Sequence, residues 1–118
     1  MFELNVADLL ASFPGDSREL AFEGEVIPEY YPDLTFVGAL KFEVKLIALE
    51  DGVEVIFDTL SAQVVYNEET HDVSLNQIPR TFREQYDPLS PDDIKFVNKG
   101  TIDLKEVIYE EIMMAILS

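Results

Sequence analysis

Between Leu34 and Leu49 the chain reads LTFVGALKFEVKLIAL, and no other stretch limits the fold so strictly. Phe36, Gly38, Leu40, Phe42, Val44 and Leu46 alternate with Val37, Lys41, Glu43 and Lys45. Side chains of an extended strand point alternately to opposite faces, so this spacing predicts one apolar and one largely polar face. Glu50-Asp51-Gly52 follows as a turn, because Gly52 can take positive φ beside an acidic turn residue. Val53 to Tyr66 (VEVIFDTLSAQVVY) is the natural return strand, interrupted or bulged near Asp58 to Ser61. The two make a long antiparallel hairpin at the centre of a sheet, and its apolar face needs a cover.

That cover is written at the other end of the sequence, in GTIDLKEVIYEEIMMAILS (100–118). Asp103 is a good N-cap, able to accept from the free amides of a first helical turn. Glu106, three residues on, can reach back to the cap amide, a variant of the capping box. Leu104, Val107, Ile108, Ile112, Ala115 and Ile116 recur at helical spacing and share a stripe. At about 1.5 Å per residue such a helix is roughly 20 Å long, enough for one face of a small sheet.

The rest of the chain fits around these two parts. Phe2 to Leu4 reads as a short strand, and Val6 to Phe13 as a helical piece stopped by Pro14-Gly15. Leu20 to Ile27 alternates well enough for another strand. Pro28 to Asp33 holds Tyr30 and Tyr31 between two prolines and reads as a loop or irregular edge. Exposed tyrosines there can anchor a partner, although the rim of a core is the commoner fate of such rings. Residues 67–93 carry Pro79, Pro88 and Pro91 without sustained periodicity, which predicts a long polar loop with a weak strand at Val73 to Leu75. Ile94 to Val97 reads as a last short strand. No repeat, low-complexity tract or linker divides the chain, so residues 1–118 form a single domain. The fold class expected is α+β: an antiparallel, partly curled sheet with a long central hairpin and a C-terminal helix packed on it.

Composition narrows the function. With 47% hydrophobic residues the chain can bury a real core. It has no cysteine, which excludes disulfides, thiol nucleophiles and Cys-based zinc sites. The opening MFELNVADLL lacks the basic and apolar regions of a secretory signal, and no apolar run approaches a membrane span. A cytoplasmic protein without membrane contact is the expectation. Eight basic residues stand against 24 acidic ones, a formal charge of −16. Phosphate neutralisation supplies most of the affinity for bare nucleic acid, so such binding is disfavoured. An acidic domain is steered toward basic partners, or its charge simply keeps it soluble.

The catalytic patterns are missing. The five glycines are isolated and make no phosphate loop. The single His71, in EETHDV, has no triad around it, and Glu68, Glu69, His71 and Asp72 have no recognised metal-ligand spacing. Glu110 and Glu111 diverge by about 100° on a helix and do not share a cleft; a solvated face suits them better. Arg80 and Arg83 can touch a phosphate or an acidic partner, or pair with local carboxylates. No catalytic residue, cofactor or metal is expected. The candidate partner-binding residues are Tyr30, Tyr31, Arg80, Arg83, Glu110 and Glu111.

Three stretches carry a family resemblance. The first is Val6-Ala7-Asp8-Leu9-Leu10 followed by Pro14-Gly15, and the second is the strand around Gly38-Ala39-Leu40. The third and most specific is Gly100-Thr101-Ile102-Asp103-Leu104 with Val107, Glu110-Glu111-Ile112 and Ala115-Ile116. In order and spacing, across nearly the whole chain, the sequence resembles the YceD-like proteins of large ribosomal RNA subunit accumulation. Many members have a Cys-x-x-Cys pair just after the glycine-led strand, where this chain has positions near Ala48 and Asp51. Many also carry a cysteine-rich tail after the helix, which would begin here at Ser118. The resemblance implies a non-enzymatic accessory factor in ribosome biogenesis that supports accumulation of the large-subunit RNA. The acidic charge adds that it acts through a basic ribosomal or ribosome-assembly protein. The alternative is an acidic nucleic-acid mimic or adaptor that binds an RNA-processing enzyme.

Overall fold

The computed structural model describes residues 2–84, 89 and 94–118. In chain order these form β1 (Glu3–Asn5), α1 (Ala7–Leu10), β2 (Ser17–Gly24), a 3₁₀ turn at Pro28–Tyr30, β3 (Thr35–Phe36), β4 (Leu40–Leu49), β5 (Gly52–Tyr66), β6 (Glu69–Arg83), β7 (Ile94–Phe96), β8 (Thr101–Asp103) and α2 (Lys105–Leu117). The architecture is α+β, mostly sheet with one long C-terminal helix. The main sheet is open and runs β2-β4-β5-β6-β7, with β3 beside the outer part of β5. All of its pairs are antiparallel except β6 with β7. A second sheet joins β1 to β8.

The alternation in β4 does what its spacing dictates. Leu40, Phe42, Val44, Leu46 and Ala48 are buried, while Lys41 and Glu43 face solvent. The pattern does not run unbroken from Leu34, however. Gly38, at φ +83°, ends the short β3 and turns the chain into β4. β4 and β5 pair antiparallel through the two-residue turn Glu50-Asp51. Gly52 does not supply positive φ there, because it is the first residue of β5 and its backbone is ordinary. Its lack of a side chain matters for a different reason: a Cβ at Gly52 would lie 2.0 Å from the carbonyl oxygen of Phe82 in β6.

The polar loop expected over 67–93 is overturned for most of its length. Glu69–Arg83 is a 15-residue strand paired with β5 from one end to the other. The turn between them is Asn67-Glu68, with φ of 49° and 67°. Positive φ at both central residues is the turn whose twist matches that of the flanking strands. The apolar period of β6 was hidden because it changes phase. Val73 and Leu75 point inward at odd positions, then Ile78 and Phe82 at even ones. The switch falls at Gln77, at φ 55°, whose Nε2 donates to Asp58 Oδ1 at 3.1 Å. Asp58 is itself the extra residue of a bulge in β5 against β4, so the inward face of β5 also changes phase there. Of the rest of that stretch, residues 85–88 and 90–93 lie outside the described residues.

The helix starts one residue later than its cap signal indicates. Asp103 closes β8, and its Oδ1 accepts from the Lys105 amide at 2.9 Å. Leu104 occupies the cap position without a side-chain bond, and Glu106 turns to Lys95 rather than back to the cap. Leu104, Val107, Ile108 and Ile112 are buried as the stripe requires, while Ala115 and Ile116 pack at its edge. Burial of an aliphatic side chain of this size contributes roughly 1.5–3 kcal/mol. α2 packs chiefly against β6, whereas α1, shorter than the expected Val6–Phe13 helix, packs on β4 and β5. The remaining cover comes from the chain ends. Phe2 is edge-on to Phe22 at 5.4 Å and to Phe42 at 5.9 Å, and Phe22 stacks on Phe42 at 5.2 Å.

Candidate functional site

The Pro28–Asp33 segment and the first turns of α2 build one groove between them. Tyr31 is 3% exposed, and its hydroxyl donates to the Lys105 carbonyl at 2.6 Å, which ties the segment to the helix. Burial first, and then the Asp103 carboxylate, push the Tyr31 hydroxyl well above its ordinary pKa. Tyr109 stacks on Tyr31 with centroids 5.6 Å apart and planes 19° from parallel. Its hydroxyl donates to Asp33 Oδ2, and this bond, more than burial, raises its pKa. Tyr30 meets Tyr31 edge-on at 6.3 Å. Over the Tyr30 ring lies Lys105 Nζ, 4.8 Å from the centroid, within reach of the negative face of the ring.

The groove so formed is open and has a volume of about 480 Å³. Asp33, Asp103 and Glu106 stand exposed on its rim. With Glu106 engaged by Lys95, the carboxylates of Asp33 and Asp103 against the Lys105 ammonium leave it negative, and the rings of Tyr30 and Tyr109, backed by the buried Tyr31, give it flat apolar walls.

No family model, curated protein or solved structure matches this chain.

Of the six residues singled out from the sequence, only Tyr30 and Tyr31 meet at this groove. The other four are held within the fold. Arg80 on β6 and Glu111 on α2 form an ion pair, with side chains 15% and 11% exposed. They are removed from the surface, and the solvated face expected for Glu111 is overturned: Ile108 and Ile112, its neighbours on the buried stripe, carry it inward. Arg83 pairs with Asp51 at the β4–β5 turn. Glu110 and Glu106 hold Lys95 of β7 at 2.9 Å and 3.1 Å. Burial pulls the Lys95 pKa down, but the hydrogen bonds to Glu110 and Glu106 outweigh it and the net movement is upward.

Sequence reasoning missed Tyr109, Asp33 and Lys105. Lys105 and Tyr109 are four apart and so share a helix face, which a sequence does display. That this face meets Tyr30 and Tyr31, more than seventy positions earlier, has no sequence signature. His71 lies in β6 opposite Val64, with Nε2 3.8 Å from Glu69 Oε2, rather than in a loop. Among the described residues no three His, Asp or Glu side chains converge on a point that would hold a metal. No described helix is long and apolar enough to cross a membrane.

Proposed function

We propose that the chain is a non-enzymatic accessory factor in ribosome biogenesis, which supports accumulation of the large-subunit RNA by docking a basic ribosomal or ribosome-assembly protein in the cytoplasm. The family resemblance supplies the ribosomal setting, and the observation that carries the docking is where the basic side chains go. Five of the eight are ion-paired with carboxylates of the same chain: Arg80 with Glu111 and Lys95 with Glu106 and Glu110 between elements, and Arg18 with Asp8, Lys41 with Glu23 and Arg83 with Asp51 nearer the surface. A sixth, Lys105, lies over Tyr30. Each of these cations is already matched within the chain, so the carboxylates left over far outnumber the cations left over. Such a surface repels phosphate and draws lysine- and arginine-rich protein. We read the β4–β5 pair as the central hairpin of a partly curled sheet, a frame for this surface rather than part of it.

A mimic of nucleic acid would need a row of carboxylates at phosphate-like intervals. On the outer face of β2 and β4 the acids are interleaved with cations, Glu19 opposite Lys45 and Glu23 opposite Lys41, which disfavours that reading.

The test is to mix the purified chain separately with large-subunit ribosomal proteins and with bare ribosomal RNA at physiological salt. Binding to one or more of the proteins, weakened by added salt, is the expected result. Binding to bare RNA alone, or to neither, overturns the proposal.

A further inference from the structure

We infer that the groove between Pro28–Asp33 and α2 takes the guanidinium of an arginine presented by a basic segment of a partner protein. This deepens the docking reading above and rests on it. Three observations converge. The accessible walls are the rings of Tyr30 and Tyr109, with the buried Tyr31 stacked behind Tyr109, and planar rings are the surfaces on which a guanidinium stacks. The rim is acidic: Asp33 and Asp103 stand exposed beside Glu106, whose carboxylate also holds Lys95, so an incoming cation meets carboxylates and an anion is repelled. A cation is already drawn to one of the walls, since Lys105 Nζ is held 4.8 Å from the Tyr30 centroid. The volume of about 480 Å³ leaves space beside Lys105 for a second cationic side chain and its apolar stem.

The occupant is a foreign basic segment rather than a second copy of this chain. Two copies at −16 each repel one another, and six of the eight basic side chains in either copy are engaged within its own fold. Arginine suits the site better than lysine. Its planar fork can lie flat on a tyrosine and still reach a rim carboxylate with two parallel donors, whereas an ammonium is a compact, strongly hydrated point charge.

The experiment uses the intact chain and three peptides of one flexible neutral sequence that differ at a single central position, carrying arginine, lysine or citrulline. Citrulline keeps the shape of arginine and removes the charge. Binding is measured by calorimetry, and the tyrosine ring resonances are followed by NMR. The arginine peptide is expected to shift the rings of Tyr30 and Tyr109 and to bind more tightly than the lysine peptide, with the citrulline peptide weakest. Tyr30→Ala should weaken it about tenfold, the size of a partly desolvated cation–π contact. Asp33→Asn, an exposed change that leaves the packing intact, should weaken it by several-fold. Lys105→Ala removes the resident cation and should tighten binding. Lys45→Ala, which changes the net charge equally on the outer sheet face, should leave it near the wild-type value. Equal affinity for the arginine and citrulline peptides, or unchanged binding by folded Tyr30→Ala and Asp33→Asn, overturns the groove. If such variants still bind basic ribosomal proteins like the wild type, the docking reading survives elsewhere on the surface. If the wild type binds neither peptide nor protein, both fall.

Discussion

Arg80 and Glu111 face each other across the seam between β6 and α2, a guanidinium and a carboxylate paired where the helix stripe would otherwise be wholly apolar. Arg80 Nη1 also donates to the Pro79 carbonyl at 3.0 Å, while its Nε has no partner among the described residues. The pair joins one turn of the helix to one position on the strand. Ions taken out of water repay their desolvation only when fully satisfied, and this pair falls short by one donor.

Removing either partner alone is therefore expected to be severe. Glu111→Leu or Arg80→Met should each cost about 3–5 kcal/mol, because an uncompensated charge stays behind in the seam. The double variant should recover most of that loss and can equal the wild type. Urea unfolding of the four proteins, followed by circular dichroism, checks this; single variants within 1 kcal/mol of wild type would remove the pair from the account of stability.

The turn at Asn67-Glu68 invites the opposite change. A left-handed backbone costs a non-glycine residue about 1–2 kcal/mol, and Glu68 sits at φ 67°. Asn-Gly is the favoured sequence for this turn. Glu68→Gly is thus expected to stabilise the chain by about 1 kcal/mol and to raise Tm by roughly 4 °C. A thermal melt with an unchanged or lowered midpoint would show that the turn is not limiting.

At Gly52 the expectation reverses again. A methyl group there meets the Phe82 carbonyl oxygen at 2.0 Å, and the obstacle is backbone, which cannot swing aside. Gly52→Ala should cost about 3 kcal/mol or more by prising β6 from β5 at that end. Amide exchange should localise the damage, with protection lost around Phe82 and Arg83 while the β2–β4 pair keeps its own.

Alkaline pH supplies a fourth test. Tyr31, Tyr109 and Lys95 all have folded pKa values above their ordinary ones. Each is a group whose protonated form the fold favours, so each contributes in full below its unfolded pKa of about 10–10.5 and loses that contribution as pH rises beyond it. Through these groups stability should be flat from neutrality to about pH 9 and fall above about pH 10. Urea midpoints across that range check it. Asp33→Asn should bring the Tyr109 hydroxyl back toward its ordinary value in a tyrosinate absorbance titration.

The sequence made legible what depends on one unbroken period. β4 and the stripe of α2 could be read because every second residue of one, and every third or fourth of the other, is apolar. β6 escaped because two facing irregularities, Asp58 and Gln77, each reset the count, and because Asn67-Glu68 lacks the glycine that marks a tight turn. Gly52 belongs to β5 rather than to the turn its sequence neighbours suggest, and the crowding carbonyl 30 residues away that demands a glycine there leaves no local trace. The same limit applies to the groove. Tyr30 and Tyr31 announce themselves between prolines, but Tyr109 and Asp33 acquire meaning only through contacts that span the chain.

The pairing of β1 with β8 bears on how the chain is made. Glu3 has Asp103 as its partner, the Phe2 carbonyl accepts from the Leu104 amide at 2.9 Å, and Val6 donates to Gly100 at 2.8 Å. During synthesis the first of these residues leave the ribosome 100 positions ahead of the last. At about 5–20 residues per second that interval is roughly 5–20 s. For all that time Phe2 can find Phe22 and Phe42, but β1 has no strand to pair with, so the small sheet that clasps the two far ends of the fold cannot close until synthesis has passed residue 103.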